Sequence, residues 1–91
     1  MANETALITG ASSGIGLELA RLFAADNSNL VLVARREERL RALADELKSE
    51  FGVDVFILAK DLSQKSAPRE IFDELQRQGI QVDVVVNSAG F

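Results

Sequence analysis

Hydrophobicity along this chain changes period in a regular way. Thr5–Thr9, Leu30–Ala34, Val53–Ala59 and Val82–Val86 are short apolar runs rich in Val, Ile and Leu. Continuous rather than alternating hydrophobicity is what a strand buried on both faces needs, so these runs predict a parallel sheet. Between them the apolar residues fall at helical spacing. Ile15, Leu19, Leu22 and Phe23 stand at i, i+4, i+7 and i+8, and Leu40, Leu43, Leu47 and Phe51 repeat the stripe on a second helix. Glu37 and Arg41 lie one turn apart on that helix, an orientation that supports it. A third helix starts near Ser63 or Ser66, both suitable N-caps, with Pro68 close to its first turn and Gly79 just past its end. Its apolar face is Ile71, Phe72 and Leu75.

The resulting order is β-α-β-α-β-α-β. With right-handed crossovers this predicts an α/β fold, half of a doubly wound Rossmann-type parallel sheet, with strand order 3-2-1-4 and helices on both faces. The first two helices fall on one face and the third lies alone on the other. With 91 residues there is room for one small domain, 1–91, and no repeat or linker divides it.

Where the first strand gives way to the first helix the chain reads Thr9-Gly10-Ala11-Ser12-Ser13-Gly14-Ile15-Gly16. Glycine tolerates positive φ and has no Cβ to hold a ligand away from the backbone. The helix behind it offers unpaired N–H groups and the positive end of its dipole to an anion. The spacing is Gly-x3-Gly-x-Gly rather than the common Gly-x-Gly-x-x-Gly. A ligand-free tight turn is the plain alternative, but the strand–loop–helix setting favours a pyrophosphate.

In a dinucleotide fold an acid at the end of the second strand usually bonds the ribose 2′-OH. Here that strand ends Val33-Ala34-Arg35-Arg36, and the acid is missing. Arginine is an always-charged, bidentate partner for a phosphate, which points to NADP(H) over NAD(H). The two cations could simply begin the second helix, yet cations at a helix N-terminus oppose its dipole.

Composition narrows the alternatives. Net charge is −4 with pI about 4.7, so nucleic acid and anionic membranes are poor partners. There is no cysteine and no histidine, which argues against disulfides and zinc. No basic, apolar leader precedes the first strand and no run is long enough for a membrane span, so a cytoplasmic protein is expected.

These residues together resemble the classical short-chain dehydrogenases/reductases. Thr9-Gly10-x-x-x-Gly14-x-Gly16 is similar to their nucleotide-binding signature. Asp61-Leu62 after the third strand resembles the family's aspartate that meets the adenine ring. Asn87-Ser88-Ala89-Gly90 after the fourth resembles its Asn-Asn-Ala-Gly motif, with Ser88 replacing the second Asn. The resemblance spans the whole chain. It implies a cofactor site made of Gly10, Ser12, Ser13, Gly14, Ile15, Gly16, Arg35, Arg36, Asp61, Leu62, Asn87, Ala89 and Gly90. Ser13 stands where many NADP-specific members carry a basic residue, so phosphate recognition rests mainly on Arg35.

In that family hydride moves between nicotinamide and a carbonyl or alcohol, using a Ser, a Tyr and a Lys from later elements. This chain holds no tyrosine, and Lys48, Lys60 and Lys65 are in no catalytic position. No catalytic residue or metal ligand is assigned. The expectation is therefore the N-terminal cofactor-binding portion of an oxidoreductase, cut before its catalytic segment and inactive alone, with self-association through an uncovered sheet face. A stand-alone nucleotide-binding or interaction module is the alternative. A flavodoxin-like receiver fits less well, because no acidic phosphoacceptor cluster is present.

Overall fold

The four apolar runs form strands β1 (Thr5–Thr9), β2 (Asn29–Ala34), β3 (Val55–Ala59) and β4 (Val84–Asn87) in a computed structural model, which describes residues 3–11 and 14–88. All pairings are parallel and the order is β3-β2-β1-β4. Thr9 pairs with both Val33 and Asn87, and Ala34 pairs with Ala59. The carboxyl ends of the strands therefore finish along one edge.

Burial on both faces explains the unbroken apolar runs. Leu30, Leu32 and Ala34 of β2 join one core together with Ala6, Ile8 and helices α1 (Gly14–Ala25) and α2 (Glu37–Phe51). Val31 and Val33 face the other way, packing with Leu7, Leu58 and Ile71 and Leu75 of α3 (Ala67–Gln78). This is the predicted arrangement of two helices against one.

Three details differ from the sequence expectation. In α1 the buried residues are Gly16, Ala20 and Ala24, while Ile15 and Leu22 are 73% and 65% exposed. Small residues at i, i+4 and i+8 let the helix lie close to the sheet, so a stripe counted from large side chains is rotated off the true contact. Leu19 and Phe23 flank that seam and are partly buried. In α3, Ile71 and Leu75 are buried but Phe72 is 58% exposed. Finally, β3 and β4 begin two residues later than the apolar runs do. At β4 the Asp83 carboxylate accepts the Thr5 N–H at 2.9 Å, ahead of the first ladder residue.

The helix ends follow known capping chemistry. Gly52 and Gly79 adopt left-handed φ of 71° and 69° after α2 and α3. The Gly79 N–H bonds the Gln76 carbonyl at 3.1 Å and the Ile80 N–H bonds Leu75 at 3.0 Å, closing the helix. Of the two serines, Ser66 holds the N-cap position of α3, with Pro68 in the first turn. Arg21 of α1 bridges to Glu46 and, at 3.8 Å, to Glu50 of α2, an exposed link of small energetic weight. No helix among the described residues is long and apolar enough to cross a membrane.

Candidate nucleotide-binding site

The carboxyl edge of an open parallel sheet, beside the point where strand order reverses, is where such folds bind ligands. Here the reversal lies between β1 and β4. Gly10 leaves β1 at φ 68°, its N–H donating to the Val33 carbonyl at 2.8 Å, and so pins the glycine loop to β2. Gly14 opens α1 at φ 60°, and among the described residues nothing outside its chain neighbours and its own helix backbone lies within 4 Å of where a Cβ would stand. Gly16 is different. A Cβ there would meet the Gly10 carbonyl oxygen at 2.1 Å and Ser88 Oγ at 2.6 Å. One glycine makes the turn, one leaves the helix start open, and one lets helix and loop touch.

The end of β4 is fastened to the end of β1. Thr9 Oγ1 donates to Asn87 Oδ1 at 2.8 Å, and Ser88 Oγ donates to the Thr9 carbonyl. Thr9 is thus a positioning residue that sequence reasoning passed over as the first letter of a motif. Its small, β-branched hydroxyl at a strand end was the available signal.

Beyond β3, Asp61 turns onto its own loop. Its Oδ1 accepts the Ser63 hydroxyl at 2.7 Å and the Ser63 N–H at 3.0 Å. Those two donors, with a smaller contribution from the Arg35 guanidinium, hold the Asp61 carboxyl below its ordinary range despite some desolvation. Leu62 packs against the α3-side core. After β2, Arg35 and Arg36 are exposed, and Arg36 occupies the N-cap position of α2 in extended conformation without a side-chain cap bond.

An open groove of about 960 Å³ collects Gly10, Arg35, Arg36, Asp61, Leu62 and Asn87. Arg39 and Lys60 also line it; the sequence reading passed over Arg39 and considered Lys60 only to set it aside as a catalytic residue. Gly14, Ile15 and Gly16 are not among its walls. Gly14 and Ile15 are exposed at the start of α1, whereas Gly16 is buried in the seam. Ser12, Ser13, Ala89 and Gly90 lie outside the described residues. The observed features suit an elongated anionic nucleotide: an open backbone approach at a helix N-terminus, and a groove rimmed by guanidinium groups one strand away.

Residues 4–91 match the family described as short chain dehydrogenase, and the chain belongs to that family. It is 41% identical over 87 residues to a short chain dehydrogenase of Pseudocercospora fijiensis, a match covering 96% of this chain and 28% of the relative. It is equally identical, at 41% over 88 residues, to sulfoacetaldehyde reductase 2 of Chromohalobacter salexigens, covering 97% and 34% of the two chains. Among solved structures, L-sorbose reductase from Gluconobacter frateurii complexed with NADPH and L-sorbose superposes with TM-score 0.91 at 37% identity. That alignment covers 100% of this chain and 35% of the reductase. A short-chain dehydrogenase from Sphingobium yanoikuyae in complex with NADPH gives 0.86 at 43% identity, covering 97% and 34%. The chain thus spans about a third or less of the length of these relatives.

Proposed function

We propose that this chain is the NADP(H)-binding portion of a short-chain oxidoreductase, one that moves hydride between nicotinamide and a carbonyl or alcohol substrate. The observation that carries the reading is the pair Arg35 and Arg36 at the end of β2, facing the groove where an acid would select NAD(H). The NADPH complexes of similar proteins support it. On this reading residues 1–91 are one partial dinucleotide-binding domain. The open loop at Gly10 and Gly14 and the α1 N-terminus receive the pyrophosphate, Arg35 takes the 2′-phosphate, and Asp61, Leu62 and Asn87 bound the adenosine. The bound nicotinamide supplies the hydride chemistry. The chain's own residues bind and orient, and with no tyrosine or histidine the 91 residues alone turn nothing over. A stand-alone non-catalytic nucleotide-binding or interaction module is the second reading. Coding sequence containing Tyr-x-x-x-Lys beyond residue 91 would decide against it.

Calorimetry with NADPH and NADH on the wild type and on Arg35→Ala tests the proposal. Loss of a charge-assisted hydrogen bond to the phosphate costs roughly 1.5–3 kcal/mol, felt by NADPH alone. Equal affinity of the wild type for both cofactors would overturn it.

A further inference from the structure

We infer that Arg39 is a third cation of the phosphate-reading rim and a determinant of specificity for a 2′-phosphorylated adenosine. The inference rests on the groove being an NADP(H) site and adds a residue that the end of β2 does not supply. Arg39 lies in the first turn of α2, three residues past Arg36 and four past Arg35, and lines the same groove as Gly10 and Asp61.

Arg39 is one of several cations without an ion pair to a described residue, Lys48, Lys65 and Arg69 among them, and what distinguishes it is its place beside Arg35 and Arg36 on the groove. Arg41 pairs with Glu37, Arg21 with Glu46, Arg77 with Glu74 at 2.6 Å, and Lys60 with Glu70 at 3.1 Å. Arg35, Arg36 and Arg39 form no ion pair with any described residue within 4.0 Å. On its own helix Arg39 has Ala42 and Leu43 at i+3 and i+4, so no carboxylate can neutralise it one turn later. Arg35, Arg36 and Arg39 oppose the helix dipole and one another; Glu37 and Glu38 share that first turn, but Glu37 pairs with Arg41 and Glu38 forms no ion pair with any of the three. Local rules are broken in this way where function requires it. A dianionic phosphate in the groove relieves the repulsion among all three guanidinium groups, while a free ribose hydroxyl relieves none. Lys60, by contrast, also lines the groove but is already held by Glu70 of α3.

The test uses adenosine 2′,5′-bisphosphate and adenosine 5′-monophosphate as probes on the whole 91-residue chain. Arg39→Ala is expected to weaken the bisphosphate about tenfold while leaving the monophosphate within about twofold. The dependence of bisphosphate affinity on salt should flatten as one cation is removed from the contact. Arg39→Lys should recover most of the loss, since charge is restored without the fork. Equal weakening of both probes would make Arg39 structural and overturn the inference. So would unchanged bisphosphate affinity, with Arg35→Ala still selective in that case, so that only the role of Arg39 falls. A wild type that does not prefer the bisphosphate overturns both this inference and the NADP(H) reading.

Discussion

Gly16→Ala is the sharpest perturbation of the seam that holds the glycine loop. The added methyl would lie 2.1 Å from the Gly10 carbonyl oxygen and 2.7 Å from its carbon. Real Cβ contacts essentially never fall below 3.0 Å, so loop and helix must part by about 0.9 Å, the difference between those distances. The Ser88 hydroxyl at 2.6 Å can rotate away, but the Gly10 carbonyl belongs to backbone already fixed by a 2.8 Å bond to Val33. Overpacking of this kind costs about 1–3 kcal/mol, and a clash with anchored backbone belongs at the upper end. Alanine's better helix propensity offsets at most about 1 kcal/mol. The net loss is about 2 kcal/mol, or roughly 8–16 °C in melting temperature for a domain of this size. Thermal and urea unfolding followed by circular dichroism reads it directly. A variant melting at or above the wild-type temperature would refute the seam as described.

Gly14→Val has no steric clash at Cβ but must hold a β-branched residue at φ 60°, costing about 1–2 kcal/mol. Its fold should survive by circular dichroism while NADPH titration shows no binding, and retained binding would reduce the loop to a turn. The β4 edge carries Val85 at 68% exposure on the face that α3 leaves open, so the 91-residue chain should self-associate and Val85→Lys should weaken that association. Sedimentation across concentration checks this, and a strictly monomeric wild type contradicts it. For Asp61, whose carboxyl is held low by Ser63, the stability gained is fully present above the ordinary aspartate value of about 3.9 and is lost as pH falls through the lower folded value. Ser63→Ala removes the largest cause and should raise the Asp61 midpoint in a carboxyl NMR titration; an unmoved midpoint counts against the hydroxyl.

What was legible in the sequence follows from which contacts are made by large side chains. The β2 run is apolar because both its faces are covered, and that alone predicts a parallel sheet with helices on either side. Leu40, Leu43 and Leu47 announce the inner face of α2, and all three are buried. On α1 the contact is made by what is missing. Gly16, Ala20 and Ala24 carry little hydrophobicity, so the larger Ile15 and Leu22 draw the eye to faces that solvent reaches. In the site, Gly10, Arg35, Asp61 and Asn87 were readable because each lies at or just past a strand's carboxyl end, and they do share one groove. Arg39 and Lys60 were not, since a charged residue in a helix or at a strand end reads as solvated surface until the neighbouring carboxylates are located.

The loop and the arginine rim are mechanically joined, which fixes how their defects should combine. Gly10 donates to the Val33 carbonyl, and Arg35 is two residues further along the same strand end. Thr9 in turn is tied to Asn87 and Ser88. A shift at Gly10 therefore moves the backbone offered to a pyrophosphate relative to both the guanidinium groups and the adenosine-side residues. Gly16→Ala, acting through that shift, should weaken NADPH and NADH together. Arg35→Ala leaves the loop in place and should weaken NADPH alone. Groups that act on separate parts of the ligand add, whereas a displaced loop misaligns every part at once. Adding Arg35→Ala to Gly16→Ala should then cost less NADPH affinity than the same change costs in the wild-type chain, because a phosphate already out of register has less contact to lose.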